Sequence, residues 1–334
     1  MAAYADLTDG EPCPSGSGLR FARTHDVDEQ AALLHGWNQI YDQMSPGPFN
    51  GSILEMDLGV LQIFREVTSN SLHQIGALPR GTCAVGVPIG MKGSATFCGT
   101  ACDGSQLHIF SGSSGFEFYS PEGLDIIGVV IPETRLLRAL EMRETANFSP
   151  EAEAHLRTTS SRCGRQLRET ALSVLSVLSQ AADPDARAAM IVLMMRDLTA
   201  SVADAIAGDH QDNGIRIPQG HRWQIVRRAI SFAHDDPGSP VTVEDLCAVA
   251  GVSRRALQYC FNDVLGVSPA AYLKAVRLNG ARRSLKECGS VTEAATLWGF
   301  WHFGRFAAEY STMFGELPSA TFRRFNATGK RPDE

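Results

Sequence analysis

The sequence predicts an α+β fold class, with a β-rich N-terminal half followed by helices. Three observations support this prediction. Short apolar or alternating runs separated by Gly, Asn, Ser and Pro recur between residues 52 and 131, helical spacing dominates from residue 133 onward, and two helix-turn-helix patterns follow one another after residue 241. Because 334 residues exceed a typical single domain, at least two domains are expected.

Charge is distributed unevenly along the chain. The net charge of −7 would argue against nucleic-acid binding only if it were spread evenly. From His221 onward the chain has 15 Lys and Arg against 11 Asp and Glu, a net charge of +4, whereas the upstream residues have 15 against 26, a net charge of −11. The C-terminal part is therefore mildly basic, as contact with phosphates requires.

Residues 1–24 are expected to be a disordered leader. They are mostly Ala, Gly, Pro and Ser with scattered charges and lack an apolar core segment, so we expect no signal peptide. No stretch of the chain approaches the roughly 20 apolar residues of a membrane span. We therefore expect a cytoplasmic protein without membrane contact, whose eight scattered cysteines are mainly buried thiols.

A β-rich domain is predicted over residues 25–135. It is expected to begin with a helix over about 28–42, where Leu33, Leu34 and Trp37 suggest helical spacing. Repeated short strands with polar turns are typical of a sandwich or small barrel. The predicted strands cover residues 52–57, 60–67, 83–89, 94–99, 107–110, 115–119 and 126–131.

Three residues of this domain resemble a set of metal ligands. His73, His108 and Glu117 could bind a metal as in cupins, but such sites use two histidines close together on one strand, and the sequence contains no His-x-His. We interpret the histidines as surface or hydrogen-bonded core residues.

A second possible site involves cysteines and an arginine. Cys83, Cys98 and Cys102 lack the second cysteine pair or histidine that a zinc site needs, which favours buried thiols. Arg65 could hold an anionic effector if it points inward, although a solvated or salt-bridged arginine is favoured. We predict no metal and no cofactor, and the effector cannot be identified from the sequence.

Residues 136–207 are predicted to form a helical connector. Leu167, Ala171, Val174 and Leu178 are spaced by four, three and four residues, and a second run between residues 191 and 206 repeats this spacing. Two antiparallel helices with narrow apolar seams form a hairpin, which packs either on the β-rich domain or on a second subunit. The polar, glycine-punctuated residues 208–219 are the expected interdomain linker.

The first helix-turn-helix pattern lies in a C-terminal domain over residues 220–327. Thr242 and Asp245 can cap the first helix, Gly251 ends it, and Ser253 can cap the second helix. Two short helices joined by a tight turn fit the DNA major groove. The outer side of the second helix carries Arg254, Arg255, Gln258 and Tyr259.

The second pattern follows the same rules. Ser290 can cap its first helix and Glu293 can complete a capping box, and Gly299 makes the turn. The following helix begins near Trp301, His302 and Phe303, and its outer side carries His302, Gly304, Arg305 and Ala308. We expect Trp301, Phe303 or both to be packed, so that Arg305 is the main base-reading candidate of this unit.

A long helix is expected to join the two units. Ser268 and Pro269 mark its start. If both second helices enter successive major grooves on one face of DNA, their separation should be roughly 34 Å. The apolar side of the joining helix has Leu273, Val276, Ala281 and Leu285. Its outward side is expected to carry Lys274, Arg277, Arg282, Arg283 and Lys286.

These motifs resemble the DNA-binding domain of the AraC/XylS family of bacterial transcription regulators. The matching stretches are LCAVAGVSRRALQ (246–258), GVSPAAYLKAVRLNGAR (266–282), WGFWHFGRFAAEY (298–310) and FGELPS (314–319). The two helix-turn-helix units in tandem, with the joining helix between them, make this resemblance specific. It covers about a quarter of the chain, and the front half resembles ethanolamine-utilisation regulators only loosely.

The resemblance implies a fold and a function. It implies a cupin-like sensor domain, dimerisation through the helical connector, and activation of transcription with RNA polymerase in response to a small-molecule effector. It places Arg255, Gln258 and Tyr259 at base-contacting positions of the first unit and Phe303, Gly304 and Arg305 at the equivalent positions of the second. Arginine can pair with guanine and glutamine with adenine.

An enzyme joined to the same DNA-binding domain is the alternative. A DNA-repair methyltransferase would need several cysteines near the N-terminus to hold a zinc-bound nucleophile, and only Cys13 lies there. An amidotransferase-like domain would need alternating strands and helices with a nucleophile at a sharp turn, whereas the front half joins strands without intervening helices. We therefore predict no enzymatic activity.

Overall fold

The computed structural model describes residues 18–93, 95–143, 148, 155–158, 161–180, 184–207, 220–235 and 241–326. In these ranges the N-terminal part is a pair of antiparallel β-sheets and the C-terminal part is helical, as the predicted fold class requires. Residues 1–17 of the expected leader and the expected linker over 208–219 lie outside the described residues.

The strands form two sheets of seven and five members, which we call the sandwich. In chain order they are β1 (Leu19–Thr24), β2 (Asn38–Gln43), β3 (Gly51–Asp57), β4 (Gln62–Thr68), β5 (Leu72–Ala77), β6 (Thr82–Gly90), β7 (Ala95–Phe97), β8 (Thr100–Cys102), β9 (Gln106–Ser111), β10 (Phe116–Ser120), β11 (Leu124–Pro132) and β12 (His155–Thr158). The larger sheet has the order β1-β3-β4-β11-β6-β9-β12, and the smaller has β2-β5-β10-β7-β8. The described strands remain two sheets and do not close into a barrel.

The described helices flank and follow the sandwich. They are α1 (Val27–Ala32), α2 (Glu133–Glu141), α3 (Ser161–Gln180), α4 (Pro184–Ala207), α5 (His221–Asp235), α6 (Val243–Ala250), α7 (Arg254–Leu265), α8 (Pro269–Ser284), α9 (Val291–Leu297), α10 (Phe303–Phe314) and α11 (Pro318–Asn326). We call α5–α11 the reader. Among the described residues, no helix combines the length and apolar character that crossing a membrane demands.

Aromatic side chains fill the space between the two sheets. Phe64 and Phe110 from the larger sheet meet Phe97, Phe116 and Phe118 from the smaller, and all are buried. Neighbouring rings meet edge to face, with centroids 4.9 Å apart for Phe110 and Phe116 and 5.0 Å apart for Phe97 and Phe110. This geometry is favoured by the ring quadrupoles, so the cluster holds the sheets face to face.

The predicted hairpin packs on the other face of the larger sheet. Leu167 and Val174 of α3 and Leu198 and Val202 of α4 are buried in one apolar cluster with side chains of that sheet. The seam therefore packs within the chain, which confirms one of the two arrangements expected for it. Arg65 is salt-bridged to Asp125, as favoured from the sequence, with nitrogen–oxygen distances of 2.9 and 2.7 Å.

Three boundaries expected from the sequence are wrong. Leu19–Thr24, assigned to the leader, forms β1, and His155–Thr158, assigned to the helical connector, forms β12. The helix expected over 28–42 ends at Ala32, and Asn38–Gln43 is β2. In each case pairing with another strand satisfies the backbone, because β1 pairs with β3, β12 with β9 and β2 with β5.

Candidate nucleic-acid interface

The first helix-turn-helix unit is built by the caps that the sequence predicts. The Thr242 side chain accepts from the Asp245 amide, and the Asp245 carboxylate accepts from the Thr242 amide, which completes a capping box. Gly251 ends α6 with a φ of 68°, a left-handed conformation that suits glycine. The Ser253 side chain then accepts from the Ala256 amide at the start of α7. These contacts fix the turn that positions α7.

The outer face of α7 is open to solvent. Arg254, Arg255, Gln258 and Tyr259 are all exposed, while Leu257, Cys260 and Phe261 on the opposite face are buried. Arg254 pairs with Glu244 at 2.8 Å, and the Gln258 amide donates to Asn262 at 3.0 Å. Because both pairs are exposed, they can exchange for contacts with DNA at little cost.

Tyr259 is held in place by a neighbouring helix. The Arg222 guanidinium of α5 lies 4.7 Å from the Tyr259 ring centre and pairs with Asp263 at 2.8 Å. The ring is nevertheless 56% exposed. The stacking fixes its direction and leaves its hydroxyl available to a partner.

The second unit presents α10 in the same way. His302, Phe303, Gly304 and Arg305 are exposed, and Phe306 and Tyr310 are buried with ring centroids 5.6 Å apart. Arg305 pairs only within the helix among the described contacts, with Glu309 at 3.1 Å. A Cβ atom at Gly304 would meet open space, so this position allows close approach of another molecule.

Two expectations for the second unit are wrong. The Ser290 side chain caps α9 as predicted, but the Glu293 carboxylate accepts from the Gly289 amide rather than from the cap residue. Trp301 and Phe303 are 68% and 46% exposed, whereas at least one of them was expected to be packed. Phe300 is instead the aromatic residue of this segment that is buried in the hydrophobic core of the second unit.

The joining helix α8 positions the second unit through a glycine. A Cβ atom at Gly280 would lie 2.2 Å from the Trp298 ring, so only glycine allows this close approach. The Trp298 indole donates to the Ser284 hydroxyl at 2.9 Å. Arg277 donates to the carbonyls of Trp298 and Gly299 at 2.9 and 2.7 Å. The turn of the second unit is therefore tied to α8.

Three of the basic side chains expected to face outward from α8 instead contact the sandwich. Arg282 pairs with Asp26 at 3.1 Å, Arg283 pairs with Asp42 at 2.5 Å, and Lys286 reaches Asp26 at 2.7 Å. Only Lys274, half exposed, points outward as predicted, since Arg277 binds the turn. The prediction that these side chains face outward fails because helical periodicity identifies the polar face of a helix but not whether solvent or another part of the protein lies against that face.

The ion pairs at this contact are deeply buried. The side chains of Arg282 and Asp26 are each 4% exposed, and that of Asp42 is 2% exposed. Although burial works in the opposite direction, Arg282 and Lys286 lower the pKa of Asp26. Burial also opposes the charged form of Arg283, but Asp42 and Asp28 raise its pKa. The Asp26 carboxylate is therefore held ionised by its partners.

The sandwich also contacts both helix-turn-helix units directly. The Thr96 hydroxyl donates to the Val264 carbonyl at the end of α7 at 2.7 Å. The Gln43 side chain donates to the Met313 carbonyl near the end of α10 at 2.7 Å, and the Gln43 backbone amide donates to the Asn279 side-chain oxygen at 2.9 Å. The sandwich thus forms hydrogen bonds with the first unit, the joining helix and the second unit.

A small cavity of about 10 Å³, room for about one water molecule, lies between the sheets. Trp37, Phe64 and Phe116 are among its aromatic walls, and Glu66 and Gln74 are polar side chains that line it. Glu66 accepts from Gln30 at 2.9 Å and from Tyr41 at 3.3 Å, while the Gln74 amide nitrogen is buried without a hydrogen-bond partner. Burial raises the pKa of Glu66 to about 7.

The residues considered as metal ligands do not all come together. His73 bonds to Glu117 at 2.9 Å, whereas His108 lies beside Cys102, with a sulfur–nitrogen distance of 3.5 Å. Both histidines are buried, in agreement with the interpretation as core residues. Burial lowers the pKa of His108 to about 3, and burial raises the pKa of Cys102 to about 12, so this pair is uncharged at neutral pH.

Comparison with known proteins identifies the helical part of the chain. A helix-turn-helix domain family matches residues 246–324. The probable thc operon regulatory protein of Rhodococcus erythropolis is 41% identical over 103 residues, covering 30% of this chain and 31% of its own length. XylDLEGF operon transcriptional activator 3 of Pseudomonas putida is 36% identical over 111 residues, covering 32% and 34%. Residues 246–324 are therefore a helix-turn-helix domain of the AraC/XylS type.

Part of the chain is also similar to a solved structure of such a regulator. A probable AraC family transcriptional regulator from Rhodopseudomonas palustris is 38% identical and covers 30% of this chain and 96% of that chain, with a TM-score of 0.29. This chain spans about a third of the length of the curated relatives it matches. The AraC/XylS assignment therefore rests on the tandem helix-turn-helix region.

Sequence reasoning missed the residues that join this AraC/XylS domain to the sandwich. Asp28 and Asp42 lie at the two ends of the segment expected to be a single helix, Asp26 lies just before it, and their arginine partners on α8 are more than 200 residues away in sequence. The charge imbalance between the two parts of the chain was the one available signal, because a net charge of −11 opposite +4 favours direct contact.

Proposed function

We propose that this protein regulates transcription by binding double-stranded DNA, and that it activates transcription with RNA polymerase in the bacterial cytoplasm. The observation that carries this proposal is the pair of exposed helix faces on α7 and α10, each built on a capped helix-turn-helix unit. The family membership of the same residues supports it. Two units in one chain can read two neighbouring segments of one DNA site.

The roles of the reading residues follow from their chemistry. Arg255, Gln258 and Tyr259 contact base edges from α7, and Arg254 contacts a base or a phosphate. Glutamine reads adenine and arginine reads guanine through paired hydrogen bonds. In the second unit, Arg305 is the main base contact, while the flanking positions allow close approach to the DNA backbone. These flanking positions are His302, Phe303 and Gly304.

The second unit has a weaker hydrogen-bonding code than the first. Phe303 and Gly304 offer no side-chain donor or acceptor, and both are exposed. An exposed aromatic ring suits apolar contact with a thymine methyl group. The first unit therefore contributes most of the sequence discrimination, and the second contributes mainly affinity.

A small-molecule effector acts on the sandwich in this proposal. The aromatic walls, Glu66 and the unpaired Gln74 amide support the space between the sheets as its site. The sheets must move apart there, because the cavity has room for about one water molecule. Because the sandwich contacts α7, α8 and α10 directly, a change in sheet packing can alter how both units are presented to DNA. Such a switch requires that the effector bind the two arrangements with different affinity.

The proposed domain division follows the elements of the chain. Residues 25–135 are the sensor, extended by β1 and β12, residues 136–207 are the connector, 208–219 the linker and 220–327 the DNA-binding domain. We place a homodimer contact on the hairpin, where Val177, Val192 and Leu193 are 40%, 62% and 61% exposed. Exposed apolar side chains on one hairpin support contact with a second subunit.

No catalytic role is proposed. The methyltransferase alternative requires a thiolate nucleophile. Burial raises the pKa of Cys83 and of Cys102 to about 12, so these two thiols stay protonated at neutral pH. Methyl transfer from DNA to a thiol of the purified protein would overturn this part of the proposal.

The test is substitution of one base-reading residue on the natural binding site. Genome-wide mapping of bound DNA supplies that site, and Gln258→Ala should then lower affinity for it by about 5- to 150-fold, which corresponds to a contact of about 1–3 kcal/mol. The loss should disappear on DNA changed at the base pair that Gln258 reads. Gln224→Ala, an exposed glutamine on α5 outside the proposed interface, is the matched control.

Two results would contradict the proposal. An equal loss on every DNA sequence would move Gln258 from the bases to the backbone. Unchanged affinity in Gln258→Ala and Arg305→Ala together would remove α7 and α10 from the DNA interface.

A further inference from the structure

A cluster of metal-binding side chains lies where the sandwich meets the reader. Asp42 comes from β2, His73 from β5 and His234 from α5, and one donor atom of each lies within 4.8 Å of the other two. The side chains of Asp42 and His73 are 2% and 1% exposed, and that of His234 is 29% exposed. The cluster is therefore buried on the sandwich side and reachable from solvent on the reader side.

His73 is oriented for ligation by two neighbours. Its Nε2 lies 2.9 Å from a carboxylate oxygen of Glu117, and its ring stacks on Tyr119 with centroids 4.0 Å apart and planes 7° apart. This leaves Nδ1 directed at the Tyr272 hydroxyl, 3.4 Å away. A carboxylate on one imidazole nitrogen and a free position on the other is the arrangement that supports histidine as a metal ligand.

The other two side chains converge on the same point. His234 Nε2 lies 3.0 Å from the Tyr272 hydroxyl and 3.9 Å from Oδ2 of Asp42. The second oxygen of Asp42, Oδ1, accepts from Arg283, which fixes the carboxylate and leaves Oδ2 facing His234. Both imidazoles thus approach one hydroxyl group, and Asp42 faces the His234 imidazole.

We propose that Asp42, His73 and His234 bind a divalent transition-metal ion, and that zinc fits best. Two imidazoles and one carboxylate are a donor set that zinc accepts, with a fourth position for water or the Tyr272 hydroxyl. Ligand atoms of a tetrahedral zinc site are roughly 3.3 Å apart, given bonds of about 2.0–2.1 Å. The 3.9 Å between His234 and Asp42 is within reach of a small rotation of the His234 side chain.

This proposed site departs from the sequence-based expectation of no metal. That expectation considered His73 only with His108 and Glu117, and the structure replaces them with Asp42 and His234 as candidate ligands. The ligands belong to different parts of the chain, so metal binding requires the sandwich and the reader to be docked. Metal and docking therefore stabilise each other.

The test uses the full-length chain stripped of metal with a chelator and then desalted. Zinc is titrated against a chromophoric competing chelator, and cobalt is added in a parallel sample to report the ligand type by absorption. We expect one zinc per chain, with affinity lowered at least about 100-fold in His234→Ala and in Asp42→Asn. His221→Ala, an exposed histidine on the same helix, should bind zinc as the unsubstituted chain does.

Folding of each variant is checked without metal by far-ultraviolet circular dichroism. If a ligand variant does not fold, Glu117→Gln takes its place, because it keeps all three ligands and should weaken zinc by about 10- to 100-fold. Absence of zinc binding at micromolar concentration, or wild-type affinity in folded His234→Ala, would overturn the proposal. A cobalt spectrum with thiolate charge-transfer absorption would also overturn it, since the metal would then sit on cysteines.

Discussion

Replacing Arg282 by methionine removes the guanidinium at the centre of the contact between the sandwich and the reader. Arg282 donates to Asp26 of the sandwich at 3.1 and 3.3 Å, and to Glu316 and the Tyr310 hydroxyl of the reader at 2.8 and 3.2 Å. It also lies over the Phe314 ring at 4.8 Å. Methionine keeps much of the apolar contact and loses every charged one.

The expected loss of stability follows from the partners left behind. Removing one member of a buried ion pair costs about 3–5 kcal/mol, because the other charge stays buried without compensation. Here Asp26 retains Lys286 at 2.7 Å and Glu316 retains Arg324 at 2.8 Å, so the lower end of that range applies. We expect the free energy of unfolding to fall by about 3 kcal/mol at pH 7.

The pH dependence gives the same prediction an independent check. Despite burial, the pKa values of Asp26 and Glu316 are lowered by hydrogen bonds and cations that include Arg282. A lowered folded-state pKa adds stability above the unfolded-state value, and this stability is lost as the pH falls through the folded-state value. The difference between Arg282→Met and the unsubstituted chain should therefore shrink below about pH 4.

Urea unfolding followed by circular dichroism measures both quantities. Arg323→Met is the control, since Arg323 is exposed and bonds only to its own helix among the described contacts; it should change stability by no more than about 0.5 kcal/mol. A loss below about 1 kcal/mol for Arg282→Met, or a loss equal to that of the control, would refute the view that this contact holds the two parts together.

Two further substitutions test the cavity and the joining helix. Because the folded-state pKa of Glu66 is raised from 4.5 to about 7, the free energy of unfolding should fall by up to about 3 kcal/mol as the pH rises through this interval. Glu66→Gln should flatten this dependence when unfolding is measured from pH 5 to 8. An unchanged slope in Glu66→Gln would contradict the raised pKa. Gly280→Ala should lower the free energy of unfolding by about 1–3 kcal/mol, because the added methyl group forces α8 away from Trp298. Gly304→Ala is the control, since its methyl group meets open space. Equal thermal stability of the two variants would disprove the close approach of α8 and Trp298.

The reader was largely predictable because its signals are local. Thr242, Gly251, Ser253 and Ser268 each act within four residues of their own position, through caps and a left-handed turn. The buried stripe of α8 follows from helical period alone, and Leu273, Val276 and Leu285 are buried as expected. Local chemistry of this kind can be read from one sequence.

The sandwich and its contact with the reader depend on distant partners, which one sequence does not reveal. Residues 38–43 have apolar spacing compatible with a helix, and they form a strand because Leu72–Ala77 lies beside them. Trp301 and Phe303 show the same dependence on distant partners. At least one of these aromatic residues was expected to be packed, but both are exposed because Phe300 fills the apolar core of the unit. In both cases tertiary pairing decides between two locally acceptable structures.

The ion pairs on α8 also change which charges the reader can offer to DNA. Of the 15 basic residues from His221 onward, Arg282, Arg283 and Lys286 are paired with sandwich carboxylates and cannot reach a phosphate while the two parts are docked. A docked complex with DNA must therefore take its phosphate contacts from other residues. An undocked complex would gain two cations on the joining helix and a third, Lys286, just after it. It would first have to separate the carboxylates of Asp26 and Asp42, which are 4% and 2% exposed, from their partners. Docking and phosphate contact therefore compete for the same cations, and an effector that favours one arrangement of this interface would change the affinity for DNA.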